Sequence, residues 1–208
     1  MPTTLWYVHD PMCSWCFAFR PTLAALQARL PEAVAVKRLL GGLAPDTDEP
    51  MPEAMQAYLQ ATWQRIEERV PGTRFNFDFW TRCRPRRATW PACRAVIAAR
   101  AFNPAYEAPM VEAIQNAYYR QARNPSETDT LVALANELGL DTVRFVRLLD
   151  APETHSRLSE EMGRARAMGV DAFPSLVLEI DAGRWRVAVD YNDPEAMALQ
   201  VDALLTAT

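Results

Sequence analysis

Two apolar runs separated by one helix-length segment constrain the fold of this chain more than any other feature of it. Leu5-Trp6-Tyr7-Val8 is apolar, partly aromatic or β-branched, and is stopped by His9-Asp10-Pro11, so it reads as a buried strand ending in a turn. Val34 to Leu40 reads as a second strand, closed by Gly41-Gly42. Between them Phe17, Leu23, Leu26 and Leu30 recur at helical spacing over Ser14 to Leu30, and Pro31 marks the end. Strand, helix and strand make a β-α-β unit, the crossover that a parallel pair needs. Pro21 lies inside the helix, removes one backbone hydrogen bond and is expected to kink it.

The pattern changes after Pro45. From Pro52 to about Pro152 the sequence predicts successive helices over Pro52–Arg69, Pro91–Phe102, Pro104–Arg120, Thr130–Leu138 and Thr142–Leu149, with prolines at several starts. A helix over Pro152–Met168 follows, presenting Leu158, Met162, Ala165 and Met168 on one face. Next come a hairpin of strands Ser175–Ile180 and Arg184–Val189 about Asp181-Ala182-Gly183, and a terminal helix from Pro194. Met197, Leu199, Val201, Leu204 and Leu205 are available for the buried side of that last helix. At 208 residues the chain is long for one ordinary domain and short for two. The expected fold is α/β, with a core domain of residues 1–45 and 152–208 interrupted by an all-helical insertion of residues 46–151.

The junction between the first strand and its helix carries the chemistry. Asp10-Pro11-Met12-Cys13-Ser14-Trp15-Cys16 puts two cysteines one helical turn apart, the first near the helix N-terminus. Such a pair has the geometry to open and close a disulfide. A free thiol ionises near about 8.5, but in a Cys-x-x-Cys motif or at a helix N-terminus that value falls to about 3.5 to 7.5, because first-turn N–H groups face the sulfur. Cys13 is therefore the expected reactive thiol and Cys16, a turn further in, the more buried one. Asp10 would oppose a thiolate and a protonated His9 would favour it; the sequence does not rank the two.

The net charge of −4 offers no general attraction for nucleic acid or anionic membranes. No basic, apolar leader pattern opens the sequence and no stretch is apolar enough to span a bilayer, so a cytoplasmic protein is expected, whose cysteines are thiols and not a disulfide framework.

The order β-α-β, helical insert, helix, Phe-Pro, β-β-α resembles the DsbA family of thioredoxin-like proteins, in which a helical domain interrupts the thioredoxin fold. The resemblance runs through Asp10-Pro11-Met12-Cys13-Ser14-Trp15-Cys16, Gly41-Gly42-Leu43-Ala44-Pro45, Pro71-Gly72-Thr73, Phe75-Asn76-Phe77-Asp78-Phe79-Trp80, Pro91-Ala92-Cys93-Arg94, Asn124-Pro125-Ser126 and Phe173-Pro174-Ser175-Leu176. It is similar to the cytosolic bacterial branch called predicted protein-disulfide isomerase.

That resemblance implies that Cys13 is the nucleophile and Cys16 the resolving thiol, with Pro174 a cis-proline facing them and Trp15 and Phe173 flanking the sulfur as apolar surface. Ser14 lies between the thiols. Phe173 is a departure, since many relatives carry a small or β-branched residue there. The implied substrates are protein or peptide disulfides, with no metal and no bound organic cofactor; glutathione or a thioredoxin-type reductant would donate electrons. The cytosolic poise of about −220 to −320 mV favours reduction or isomerisation over net oxidation.

Other readings stand beside this one. The Cys pair could be half of a zinc site, although only Cys83, Cys93, His9 and His155 could complete it. Cys83, within Arg82-Cys83-Arg84-Pro85-Arg86-Arg87, could be activated by charge, bind an anion such as glutathione, or pair with Cys93; the plainer reading is a solvated basic loop and a packed Cys93. His155 reads as a helix-surface residue. Phe75, Phe77, Phe79, Trp80, Tyr118 and Tyr119 read as the insertion's core, or its seam with the rest, more than as a ligand cage. A glutathione-dependent transferase or isomerase of small molecules, or a redox-sensing adaptor for a client protein, are the rival functions, and the presence of Cys16 argues against the first. The oligomeric state is left open.

Overall fold

Strand β1 (Thr3–His9) is central to a four-stranded sheet of order β2-β1-β3-β4 in a computed structural model of the protein, which describes residues 3–181 and 183–207. β2 (Val34–Leu40) runs parallel to it from Thr3↔Val34 to His9↔Leu40, and helix α1 (Ser14–Gln27) makes the crossover. β3 (Ser175–Ile180) lies antiparallel on the other side of β1, in register Tyr7↔Leu176, and β4 (Gly183–Val187) pairs antiparallel with β3.

Alternation along β1 divides the core into two layers. Leu5 and Tyr7 face one side, where Phe19, Leu23 and Leu26 of α1 meet Leu176, Leu178 and, from the terminal helix, Met197 and Val201. Trp6 and Val8 face the other, with Leu39, Val177, Ala165, Met168 and Val170. Leu5, Leu26 and Leu178 are wholly buried, each a gain of about 1.5–3 kcal/mol relative to exposure. Trp6 also donates from Nε1 to Glu179 Oε2 at 2.7 Å. That bond, opposed by partial burial and helped by Arg184, holds the Glu179 carboxyl below its ordinary value.

The remaining helices are α2 (Glu53–Arg69), α3 (Phe79–Arg82), α4 (Trp90–Arg100), α5 (Glu107–Arg120, led in by a 3₁₀ turn at Pro104–Tyr106), α6 (Thr128–Glu137), α7 (Thr142–Leu149), α8 (Pro152–Ala167) and α9 (Pro194–Thr206). The chain divides into one unit of Met1–Gly41 with Glu161–Thr208 and a second of Gly42–Glu160. The expected limits at residues 45/46 and 151/152 thus fall elsewhere, because the second change of unit occurs within the continuous helix α8.

In the second unit Trp63 of α2 is buried among six rings, with Phe75 stacked on it at 4.9 Å and Tyr118 and Tyr119 edge-on at 5.6 and 5.5 Å. The aromatic cluster is packed core, not a ligand cage. Small residues Ala92, Cys93, Ala95, Ala98 and Ala99 are all buried on α4. Apart from an isolated bridge between Pro50 and Arg86, the described residues of this unit form no β structure.

Several expected boundaries move for local reasons. α1 closes at Gln27 and not Leu30, with Arg29 and Leu30 both turning back onto the Leu26 carbonyl before Pro31, whose ring disfavours a helical residue ahead of it. β4 stops at Val187 because the next amide, Ala188, donates to the Gln200 side chain and leaves the ladder. Of the expected hairpin turn, Ala182 lies outside the described residues. In α9, Leu199 is more than half exposed, against expectation. It stands about 200° round the helix from the buried Met197, whose face continues through Ala198 and Val201. The short helix α3 carried no periodic signal at four residues.

Candidate active site

The end of β1 sets the first thiol at the mouth of α1. Beyond His9 the chain turns at Asp10, whose Oδ1 accepts from the Met12 amide at 2.8 Å and whose carbonyl accepts from the Cys13 amide at 3.0 Å. The turn leaves Cys13 extended, at φ −85° and ψ 117°, as the N-cap of α1. Its sulfur does what a capping oxygen does, accepting the Cys16 amide at 3.4 Å. On its other side Cys13 Sγ lies 3.5 Å from the Phe173 carbonyl oxygen, to which the thiol donates. The Phe173–Pro174 peptide bond is cis and Pro174 is buried.

Cys16 is fully buried and Cys13 nearly so, and both are free thiols. Burial, then the hydrogen bond and the charge of Cys13, push the Cys16 thiol well above its ordinary value. Asp10 acts on it in opposite senses, raising it through carboxylate charge and lowering it through its backbone. His9 is buried and stacks on the Tyr7 ring, centroids 4.8 Å apart and planes 3° from parallel.

The two flanking aromatics meet different neighbours. Phe173 offers its backbone carbonyl there, and its ring packs on the layer around Trp6 and Val8, against Gly41. Trp15 leans on Tyr191, centroids 4.9 Å apart. Tyr191 also meets Phe19 edge-on and accepts through its carbonyl from Thr22 Oγ1 at 2.6 Å. Ser14, in the first turn of α1, is buried.

A Cβ at Gly41 would overlap the Phe173 ring. Gly41→Ala should therefore cost about 1–3 kcal/mol in a denaturant titration, the usual penalty for overfilling a packed site; a wild-type midpoint and slope would contradict the close approach.

Sequence reading did not single out Tyr7 or Tyr191. Period-two alternation was the available signal for Tyr7, since it shares the face of β1 that receives α1. Tyr191 reaches the site across more than 170 residues of sequence and carries no local signal.

The second unit's cysteines lie in other settings. Cys83 donates to the Ala122 carbonyl at 3.0 Å, and burial raises its thiol against the opposing pull of Arg82. Cys93 is fully buried. The expected open basic loop is instead partly paired: Arg86 meets Asp48 at 2.5 Å and Glu127 at 3.2 Å. His155 is exposed. Among the described residues no three His, Cys, Asp or Glu side chains converge as a metal site would require, and no helix is long and apolar enough to cross a membrane.

The family profile for a DSBA-like thioredoxin domain matches residues 4–201, nearly the whole chain. The chain belongs to the DSBA-like thioredoxin domain family. Among solved structures, a candidate protein disulfide isomerase from Nitrosomonas europaea is 28% identical, with a TM-score of 0.85 over 100% of this chain and 99% of that one. The cytosolic disulfide reductase DsbM from Pseudomonas aeruginosa, also solved with GSH, is 24% identical with a TM-score of 0.78 over 99% of this chain and 100% of that one. A curated relative, the ClpXP adapter protein SpxH of Halalkalibacterium halodurans, is 23% identical over 180 residues; the match takes in 85% of this chain but only 58% of that relative's length.

Proposed function

We propose that this member of the DSBA-like family is a thiol-disulfide oxidoreductase that reduces or reshuffles protein and peptide disulfides in the cytoplasm, drawing electrons from glutathione or a thioredoxin-type reductant. Cys13 is the attacking thiol. As a thiolate it forms a mixed disulfide with one substrate sulfur and releases the other; Cys16 then attacks Cys13 Sγ, and the substrate leaves reduced while Cys13 and Cys16 become a disulfide. Two electrons pass from the dithiol to the substrate, and a thiol reductant restores them. Pro174, Phe173, Ser14 and Trp15 support the pair, Phe173 through its carbonyl beside Cys13.

The observation that carries this reading is the position of Cys13: an N-cap sulfur facing the Cys16 amide at 3.4 Å, with the second thiol one turn behind it. An N–H aimed at the sulfur is the donor a thiolate accepts from. The likeness to a Nitrosomonas protein disulfide isomerase candidate and to the Pseudomonas disulfide reductase agrees with a reductase or isomerase, and the solution of the latter with GSH agrees with glutathione as a donor.

The test is turnover: with reduced glutathione or a thioredoxin system supplied, the purified protein should reduce a protein disulfide catalytically. Absence of turnover with every donor would overturn the reading. A second reading, an adaptor that binds a client and uses the pair to sense redox state, draws on the adapter relative. Client binding unaltered in a Cys13→Ser/Cys16→Ser variant would favour it.

A further inference from the structure

Three stretches singled out in the sequence meet within the second unit. Asp46 follows Ala44-Pro45, Arg94 closes Pro91-Ala92-Cys93-Arg94 on α4, and Ser126 closes Asn124-Pro125-Ser126 ahead of α6; all three line one cavity of about 300 Å³. That is the lower end of the range of about 300–1,000 Å³ in which small molecules bind. The arginines of this cavity call for an acceptor. Arg94 is 7% exposed; its terminal nitrogens hold Asp46 at 2.7 and 3.1 Å, while its Nε is buried and has no hydrogen-bond partner among the described residues. Arg86, on the same cavity, reaches Asp48 and the Ser126 carbonyl with its terminal nitrogens, and its Nε is likewise buried without a partner among the described residues. Buried donors lacking an acceptor are uncommon in a folded protein, and two guanidiniums each short of one at a single cavity point to a ligand with acceptor oxygens.

The other lining groups select that ligand. Helix α6 opens beside Ser126 and Thr128 with no side chain capping it, which adds partial positive charge. Asp150, at the C-terminal end of α7, is exposed and has no ion-pair partner among the described residues. In all, two arginines and three aspartates line the cavity, a net of one negative charge, so a bare anion gains little there and a bare cation meets both guanidiniums. A molecule carrying both charges satisfies both sets. We propose that this cavity binds a small zwitterion with a free α-ammonium and a free carboxylate, an amino acid or a short peptide. The carboxylate is held by Arg86 and Arg94 with the N-terminus of α6, and the ammonium by Asp150. Asp48 is the group that gives way. Its side chain is fully exposed, a surface ion pair of this kind holds it weakly, and a ligand carboxylate can take its place on Arg86. The site is independent of the thiol exchange proposed above.

The experiment is an NMR titration of the full chain with four probes: glycine, glycylglycine, N-acetylglycylglycine, which lacks the ammonium, and glycylglycinamide, which lacks the carboxylate. Glycine or glycylglycine should give saturable shifts at the Thr47 and Thr128 amides and at the Arg94 Nε–H, and the tighter of the two names a free amino acid or a peptide as the ligand. Blocking either end should weaken binding about tenfold or more, the effect of losing a hydrogen bond to a charged group. Asp150→Asn, at an exposed position, should weaken the uncapped probes to the same extent and leave N-acetylglycylglycine unchanged, whereas damage to the fold would weaken both alike. Arg86→Gln should do the reverse, sparing only glycylglycinamide. Shifts that fail to saturate by about 20 mM, which puts the dissociation constant beyond the millimolar range, would overturn the site. So would equal affinity for capped and uncapped peptides, or tighter binding of inorganic phosphate than of either uncapped probe.

Discussion

Cys13→Ser should lower disulfide-reductase turnover on the order of a thousandfold or more, to the assay background. A hydroxyl at that position cannot ionise near neutral pH and cannot form the mixed disulfide. The substitution is informative because it leaves the helix start intact. Serine is among the best N-cap residues, and its oxygen would accept the Cys16 amide that the sulfur now accepts at 3.4 Å. The thermal midpoint should therefore equal or exceed that of wild type. Loss of activity with retained stability locates the chemistry at the sulfur, whereas retained turnover would mean that another thiol, Cys83 or Cys93, does the work.

Trp63→Ala should cost about 3–5 kcal/mol in equilibrium unfolding, the largest stability effect of a single truncation expected here. Trp63 is 1% exposed and lies between 4.9 and 6.0 Å from the centroids of Phe75, Phe77, Phe79, Trp80, Tyr118 and Tyr119. Truncation removes one face of six ring contacts at once, and rings held by one another cannot all collapse into the space left behind. A cost below about 1 kcal/mol would show that the cluster is not what holds the helical insertion together.

What the sequence made legible follows from how local each signal is. The parallel pair β1 and β2 could be read because each strand is a short apolar run bounded by its own turn residues, and its crossover helix carries its own periodicity. Cys13 and Cys16 were equally plain, since their spacing within one turn of α1 is fixed by three residues of chain. The face of α8 through Leu158, Met162, Ala165 and Met168 is buried as its spacing predicts. What escaped depends on contacts far apart in sequence or on side-chain direction. Hydrophobicity alone places Leu199 on the buried side of α9, whereas its angular position turns it outward. The packing of the Phe173 ring against Gly41 has no signal in the sequence, because nothing in a dipeptide tells which way its side chain leaves a turn.

The most direct test of the central claim is to express Cys16→Ala, which removes the resolving thiol and leaves the attacking one, and to map any adduct by mass spectrometry. The account predicts a mixed disulfide with protein or peptide substrate at Cys13, released by reductant and absent when Cys13 is also replaced. A Cys13 that remains a free, alkylatable thiol during substrate turnover, or adducts confined to Cys83 or Cys93, would contradict it.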